Sequence, residues 1–233
     1  MILNAHSRLR GKHALFSPSQ PAFFNCDPKA FVDRMINKYR SQLGTDIHEW
    51  VVIKIKRCHK ITSNKETFNS IDEYIFNKYY DQEMDSISKT GNRILSCLKQ
   101  VTKNQPEFIE NIRAYVNDAI GYKMYPEVVL YFTDEFFGTT DALIFNEKER
   151  LLRVHDLKTG VSIVHVEQLM GYAALFCLEQ NIDPLTINYE LRIYQGNDIL
   201  VATPDGNDVK QFVDQYLAFD KEVKIFEGGL GNA

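Results

Sequence analysis

Apolar residues in the first half of the chain recur at the spacing of a helix. From Phe31 to Val51 they return at four-residue intervals, which predicts a helix with one side against a core and leaves open a break at Gly44. Asp27 or Asn25 is a suitable cap for its start. Three further segments are predicted to be helical: 70–80, 85–103 and 106–122. Residues 1–122 are therefore predicted to be mainly helical.

The pattern changes after residue 122. Two apolar-rich runs flank a polar turn at 146–149 and predict a β-hairpin, with one more strand before it at 124–132. The elements predicted after the hairpin are a helix at 164–176, strands at 185–194 and 199–202, and a helix at 209–219. Residues 227–233 are predicted to be a flexible tail. This order predicts an α/β fold with a central mixed β-sheet and a helical N-terminal extension, as a single domain over 1–233.

The predicted hairpin carries two carboxylates and a lysine. A two-residue turn at 147–148 places Asp141 opposite Val154 and diagonal to Asp156, so that Asp141, Asp156 and Lys158 share a face. Diagonal neighbours lie roughly 7 to 8 Å apart, within reach of one ion. A turn one residue longer would put the two aspartates on opposite faces. Two carboxylates suit a hard divalent cation, and the lysine can polarise water or a phosphate.

The segment after the hairpin is predicted to be an amphipathic helix that carries Gln168 and Tyr172. These two residues stand four apart and so lie on one face of that helix. Their amide and hydroxyl groups offer neutral hydrogen bonds beside a phosphate. The alternative is that Tyr172 is a core aromatic residue and Gln168 a solvated one.

Together these residues resemble a known family. The combined order is Gly138-x-x-Asp141, Asp156-Leu157-Lys158-Thr159-Gly160 and Gln168-x-x-x-Tyr172. It resembles the RecB-type, Cas4-like branch of the PD-(D/E)xK nuclease superfamily, which includes phage recombination exonucleases. The similarity covers roughly residues 40 to 200, and the predicted element order agrees with the α-β-β-β-α-β core of that superfamily.

The resemblance assigns a role to each motif residue. It implies that Asp141, Asp156 and the Leu157 carbonyl bind the metal and that Lys158 is the catalytic lysine. Gln168 and Tyr172 complete the catalytic motif.

Two further metal ligands are expected from the resemblance. His48, in the run Gly44-Thr45-Asp46-Ile47-His48, matches a histidine that reaches the metal from an N-terminal helix, although a histidine near an apolar face is often structural. Glu127 matches an acidic residue on the strand before the hairpin. A three-residue loop at 133–135 places Glu127 opposite Asp141, a two-residue loop turns it away, and the alternative role is an edge-strand charge.

The net charge is −4 and the sequence pI is near 5.9, which argues against coating of nucleic acid by bulk charge. A local basic cluster follows the His48 segment: Lys54, Lys56, Arg57 and Lys60. It is a candidate contact for a phosphate backbone, and the alternative is a solvated basic helix end.

Composition and cysteine spacing limit the remaining classes of protein to which the chain could belong. The chain has 233 residues, 44% of them hydrophobic, and no apolar run long enough to span a membrane, so we predict a cytoplasmic enzyme of a bacterial cell or phage-infected host. The four cysteines are far apart, which predicts reduced thiols and no iron-sulfur cluster.

The predicted function is a deoxyribonuclease dependent on Mg²⁺ or Mn²⁺, an exonuclease that acts on DNA ends in recombination or repair. The expected partner is DNA, with a single-strand annealing protein and a second copy of the chain left open. A structure-specific endonuclease, a Cas4-like end-trimming factor and a non-catalytic DNA-binding module are the alternatives.

Overall fold

The computed structural model describes residues 27–160, 165–196 and 198–230. Six α-helices occur in these ranges: α1 (Pro28–Lys56), α2 (Asn64–Tyr79), α3 (Lys89–Asn104), α4 (Glu107–Gly121), α5 (Val166–Gln180) and α6 (Gly206–Leu230). A short 3₁₀ helix (Pro184–Thr186) also occurs. The first four α-helices precede the main sheet, so the predicted helical N-terminal region is confirmed over the described residues 27–122. None of the helices in the described ranges is long and apolar enough to cross a membrane.

Side chains cap three of the N-terminal helices, and the cap by Asp27 was expected from the sequence. Asp27 Oδ1 accepts hydrogen bonds from the backbone N–H groups of the first turn of α1, at 2.8 and 2.9 Å. Ser63 and Ser88 cap α2 and α3 in the same way. Such caps satisfy N–H groups that have no partner within the helix.

The strands form a mixed sheet and a short ribbon. β1 (Tyr80–Asp81) pairs with β2 (Ser86–Ile87), a ribbon that the sequence pattern did not predict. The other strands are β3 (Tyr125–Thr133), β4 (Phe136–Asn146), β5 (Leu151–Lys158), β6 (Asn188–Gln195) and β7 (Asp198–Ala202). They lie in sequence order across a five-stranded sheet, in which only β5 and β6 are parallel. The α/β class with a central mixed sheet is confirmed.

Two hydrophobic cores lie on the two faces of the sheet. One contains the apolar sides of α1 to α4 together with Ala142, Leu157 and Tyr194 of the sheet. The other contains α5, part of α6 and alternate residues of β5 and β6 such as Val154 and Leu191. Helix α5 makes the crossover between the parallel strands β5 and β6, which is the connection that parallel pairing requires.

The hairpin register differs from the prediction by two residues. Asn146 pairs with Leu151 around a four-residue turn at 147–150, and Ala142 pairs with His155. One step further along this register, Asp141 is directly opposite Asp156 rather than Val154. The predicted two-residue turn is wrong. Because side chains alternate with period two, a shift of two residues keeps both aspartates on one side.

The loop before β4 also differs from the expected one. Thr133 pairs with Phe136 across a two-residue turn at 134–135, and an irregularity between Tyr131 and Thr133 shifts the register back by one residue. Glu127 therefore lies opposite Asp141, between the pairs 126–142 and 128–140. A β-bulge compensates for the shorter loop. Counting the loop residues alone does not predict this bulge.

Other predicted boundaries need correction. Helix α1 continues through Gly44 without a break. Helix α6 extends to Leu230, so residues 227–230 of the predicted tail are helical. Val164 and Asn197, which lie in a predicted helix and a predicted turn, fall outside the described residues, as do Asn25 and residues 231–233.

Candidate metal centre

The motif residues gather around one depression of about 290 Å³ at the end of β5. Its lining contains His48, Thr139, Asp141, Asp156, Leu157, Lys158, Thr159, Gly160, Gln168, Tyr172 and Gln195. These residues come from α1, β4, β5, α5 and β6, and from the segment directly after β5, which carries Thr159 and Gly160. The site therefore joins the N-terminal helical layer to the sheet and to the crossover helix.

Asp141 occupies an irregular point of β4. Gly138 faces α5, since a Cβ atom there would lie 2.8 Å from Cε1 of Tyr172, and Leu143 packs in the α5 core. These positions are five apart, so strand alternation is broken once between them. At this break Oδ2 of Asp141 accepts a hydrogen bond of 2.8 Å from the backbone N–H of Leu157. The carboxylate is thus fixed against β5.

Two ionisable neighbours act on Asp141. Burial raises the pKa of Asp141 above its usual range, the His48 charge partly offsets the rise, and the Asp156 carboxylate adds to it. His48 Nδ1 lies 3.6 Å from Asp141 Oδ1. A carboxylate whose pKa a second carboxylate raises in this way favours a bound cation or a shared proton.

A chain of polar contacts links the second aspartate to α5. Lys158 Nζ lies 3.2 Å from Oδ1 and 3.0 Å from Oδ2 of Asp156, whose side chain is 8% exposed. The same ammonium group donates to Gln168 Oε1 at 3.0 Å. Gln168 Nε2 in turn donates to the Tyr172 hydroxyl at 3.4 Å. Gln168 therefore fixes the position of the Lys158 ammonium group, and Tyr172 fixes the amide of Gln168.

Gly44 lets α1 approach this strand end. A Cβ atom at Gly44 would lie 2.6 Å from Oγ1 of Thr159, which is closer than such atoms can pack. Gly44 stands four residues before His48, so the two lie on the same side of α1. The absence of a side chain at Gly44 thus lets His48 reach the depression.

The donors present fit a hard divalent cation with an incomplete protein shell. In ranges 27–160, 165–196 and 198–230, no group of three or more His, Cys, Asp and Glu residues has the arrangement of a metal site. Mg²⁺, however, is commonly bound by one or two carboxylates together with waters and phosphate oxygens. Oδ2 of Asp156 is buried, and its near neighbour among the described residues is the Lys158 ammonium group at 3.0 Å. Asp141 and Asp156 therefore supply the two carboxylates that such a Mg²⁺ site takes from a protein.

Two sets of predicted site residues do not line the depression. Glu127 is opposite Asp141, but its backbone is left-handed with a φ of 51°, and it is exposed and outside the lining. The basic cluster Lys54, Lys56, Arg57 and Lys60 lies at and beyond the end of α1. At ~1.5 Å per helical residue, Lys54 is about 9 Å further along α1 than His48. Its contact with a phosphate backbone stays a prediction.

Four lining residues were not assigned a site role from the sequence. Gln195 pairs with Lys158 between the parallel strands and donates to the Gly160 carbonyl at 2.6 Å. Its position at the carboxyl end of β6 was the available signal, since ligands bind at that edge of parallel strands. Thr159 and Gly160 stood in the motif without a role of their own, and Thr139 carried no signal.

A larger cavity of about 790 Å³ adjoins the depression and shares His48, Thr159 and Gly160 with it. Arg40, Asn104 and Gln105 contribute polar groups to its wall. The cavity lies between α1 and the turn that joins α3 to α4.

An ion pair between a buried aspartate and a partly exposed lysine supports the helix that carries His48. Asp46 is fully buried, and its Oδ1 accepts hydrogen bonds from Lys78 Nζ at 2.8 Å and from Gln42 Nε2 at 3.0 Å. Burial disfavours the charge of Lys78, but the hydrogen bonds to Asp46 and Glu49 outweigh this effect and raise its pKa. The pair fixes α1 to α2 two residues before His48.

A second buried network lies behind β5. His155 is fully buried, and its Nδ1 is 3.3 Å from the Tyr194 hydroxyl, which donates to Asp118 at 2.7 Å. Burial, with the charges of Arg192 and Arg153, lowers the pKa of His155 to about 3. His155 is therefore neutral at physiological pH.

Comparison with known proteins gives a family. No curated protein and no solved structure matches the chain. A family model described as "Protein of unknown function (DUF2800)" matches residues 13–195. Because this match covers more than half of the chain, the protein belongs to the DUF2800 family.

Proposed function

We propose that the protein is a divalent-metal-dependent deoxyribonuclease that uses Mg²⁺ or Mn²⁺ and acts as an exonuclease on DNA ends. The observation that supports this most directly is the convergence of Asp141, Asp156 and Lys158 on one depression. Two oxygen donors and a lysine two residues after the second donor suit phosphodiester hydrolysis. The resemblance of the motif order to the RecB-type nucleases supports the same reaction.

In this proposal the carboxylates of Asp141 and Asp156, with the Leu157 carbonyl, would hold the cation. When bound there, it would supply Lewis-acid polarisation of the scissile phosphate and would lower the pKa of a nearby water. His48 contacts Asp141 from the α1 side and contributes a further donor.

The other residues would position the phosphate of the substrate and neutralise its charge. Lys158 directs its ammonium group toward the phosphate and stabilises charge that develops in the transition state. Gln168 keeps Lys158 in place through its 3.0 Å hydrogen bond. Tyr172, which packs closely over Gly138, would line one side of the bound phosphate.

The direct test is a cleavage assay on linear duplex, linear single-stranded and closed circular DNA, each with EDTA, Mg²⁺ or Mn²⁺. Loss of the linear forms alone, only with a metal, is the expected result. Nicking of circles would indicate an endonuclease instead. Absence of any metal-dependent cleavage would overturn the proposal and favour a binding module.

Substitutions tie the activity to the site. Asp156→Asn and Lys158→Ala are each expected to abolish cleavage and leave the circular dichroism spectrum unchanged. The matched control is Asp214→Asn, which removes an exposed carboxylate of α6 whose partner is Lys210. Cleavage by purified Asp156→Asn protein at the wild-type rate would contradict the assignment.

A further inference from the structure

A stripe of exposed apolar side chains runs along the β3–β4 hairpin, away from the depression. Val129 is 58% exposed, Tyr131 47% and Phe137 61%. Val129 pairs with Thr139, and Tyr131 pairs with Phe137. Directly paired residues lie side by side on one face. Thr139 also lines the depression, so the stripe is continuous with the candidate metal centre.

The stripe has a defined direction and length. The pairs 129–139, 130–138 and 131–137 follow a regular register, so Thr139 and Phe137 point to the same face. Phe137 is four residues from Asp141, which corresponds to ~13 Å along a strand at ~3.3 Å per residue. The two aromatic rings therefore lie within reach of a polymer whose phosphate is at the metal centre.

We propose that Tyr131 and Phe137 form a platform on which bases of an unpaired nucleic-acid strand stack. This inference rests on the proposed nuclease function and specifies its substrate form. Every base has a π-face, and exposed aromatic side chains bind successive bases of a single strand without reading their sequence. An exposed aromatic pair that continues directly from a phosphodiester-cleaving centre suits this role.

Charges near the platform favour a single strand over a duplex. The turn between β3 and β4 carries Asp134 and Glu135, both exposed. Asp134 accepts a hydrogen bond of 2.9 Å from the Tyr131 hydroxyl, and this contact orients the ring. These carboxylates repel phosphates. A single strand can turn its backbone away while it presents its bases, whereas a duplex has two backbones and its bases are already stacked.

One contact disfavours the addition of a strand from another molecule at the β3 edge. An unpaired strand edge invites pairing with another strand. The N–H group of Tyr131 on the edge strand β3 instead donates to Glu179 Oε2 at 3.0 Å. Helix α5 thus satisfies a donor that strand addition would need.

Binding of a fluorescent single strand tests the platform. The background is Asp156→Asn, which prevents cleavage during the measurement. The ligands are an oligothymidylate and an abasic strand of the same length. Phe137→Ala should raise the Kd for oligothymidylate at least about fivefold and leave the Kd for the abasic strand unchanged. Phe137→Trp should restore binding, because it restores an aromatic face.

The control is Phe226→Ala, which removes an aromatic ring of α6 that is 66% exposed. It should change neither Kd. The platform is refuted if Phe137→Ala behaves like this control, weakens both strands equally, or lowers the molar mass measured by light scattering. If the wild type shows metal-dependent cleavage but Phe137→Ala leaves the Kd for oligothymidylate unchanged, the platform alone is overturned. If the Asp156→Asn protein with Phe137 intact binds neither strand, and the wild type cleaves no DNA, the nuclease proposal is overturned as well.

Discussion

Gly44 and Thr159 are packed so closely that a Cβ atom on the first would lie 2.6 Å from Oγ1 of the second. Gly44→Ala should therefore displace α1 and His48, and lower the cleavage rate by about tenfold, because small misplacements of catalytic groups are costly. A cleavage assay on linear DNA measures this loss.

Removal of the Thr159 hydroxyl, which the added Cβ atom would meet, provides the control for this clash. In a Thr159→Ala background the same Gly44→Ala change should have little effect on the rate, and it should stabilise α1 by about 0.5 to 1 kcal/mol through helix propensity. Equal loss of activity in both backgrounds would show that the close approach does not matter.

Gln168 and Tyr172 are expected to act in sequence on Lys158. Gln168→Ala should lower kcat by about tenfold with KM little changed, since a group that positions another acts in the transition state. Tyr172→Phe should have a smaller effect, and in the Gln168→Ala background it should have none. Steady-state kinetics of the single and double variants decide this. A full additional loss in the double variant would mean that Tyr172 contacts the substrate itself.

Metal binding should be visible as stabilisation, independent of activity. At a Mn²⁺ concentration of ~100 Kd, binding contributes about 2.7 kcal/mol, which raises the Tm of a protein of this size by roughly 5 to 10 °C. Differential scanning calorimetry should show this rise for wild type and Asp214→Asn, and its absence for Asp156→Asn. An equal rise in all three proteins would place the ion elsewhere.

Lys78→Met should destabilise the fold strongly. The substitution leaves the carboxylate of Asp46 buried without its countercharge, which costs about 3 kcal/mol. Urea denaturation measures the loss. The double variant Asp46→Asn/Lys78→Met should recover part of it because no buried charge remains, and a double variant less stable than Lys78→Met would contradict this account.

His155 should make the fold sensitive to acid. Its pKa is about 3 in the folded chain and 6.5 in an ordinary environment, so the unfolded state binds the extra proton as the pH falls through that window. Its contribution to stability is complete above pH ~6.5 and is lost toward pH ~3, by at most about 1.4 kcal/mol per pH unit.

His155→Gln removes this proton linkage. Urea titrations in EDTA should show that the stability of His155→Gln falls less steeply than that of wild type between pH ~6.5 and ~4. Parallel pH profiles for the two proteins would mean that His155 is charged in the folded state.

Local spacing in the sequence was sufficient to place most of the candidate site. Asp156 and Lys158 share a strand face by alternation, and Gln168 and Tyr172 share a helix face. The α/β order of elements followed from the change in apolar periodicity after residue 122. These features depend on residues that are near neighbours along the chain, which is why the pattern reports them.

Contacts between distant segments were harder to predict. The hairpin turn was two residues longer than expected, and a bulge in β3 rather than the loop length determined where Glu127 lies. The ion pair between Asp46 and Lys78 joins residues 32 positions apart and has no local signature. Such features depend on how helices and strands pack, which the apolar pattern does not specify.

The position of the depression between the two cores has a consequence for the half-folded chain. The carboxylates and Lys158 belong to the sheet, whereas His48 arrives only when α1 docks against Thr159. A chain whose sheet has formed but whose helical layer is still open therefore holds an incomplete set of the proposed ligands. Under the proposed function, cleavage of DNA would have to wait until both layers are in place.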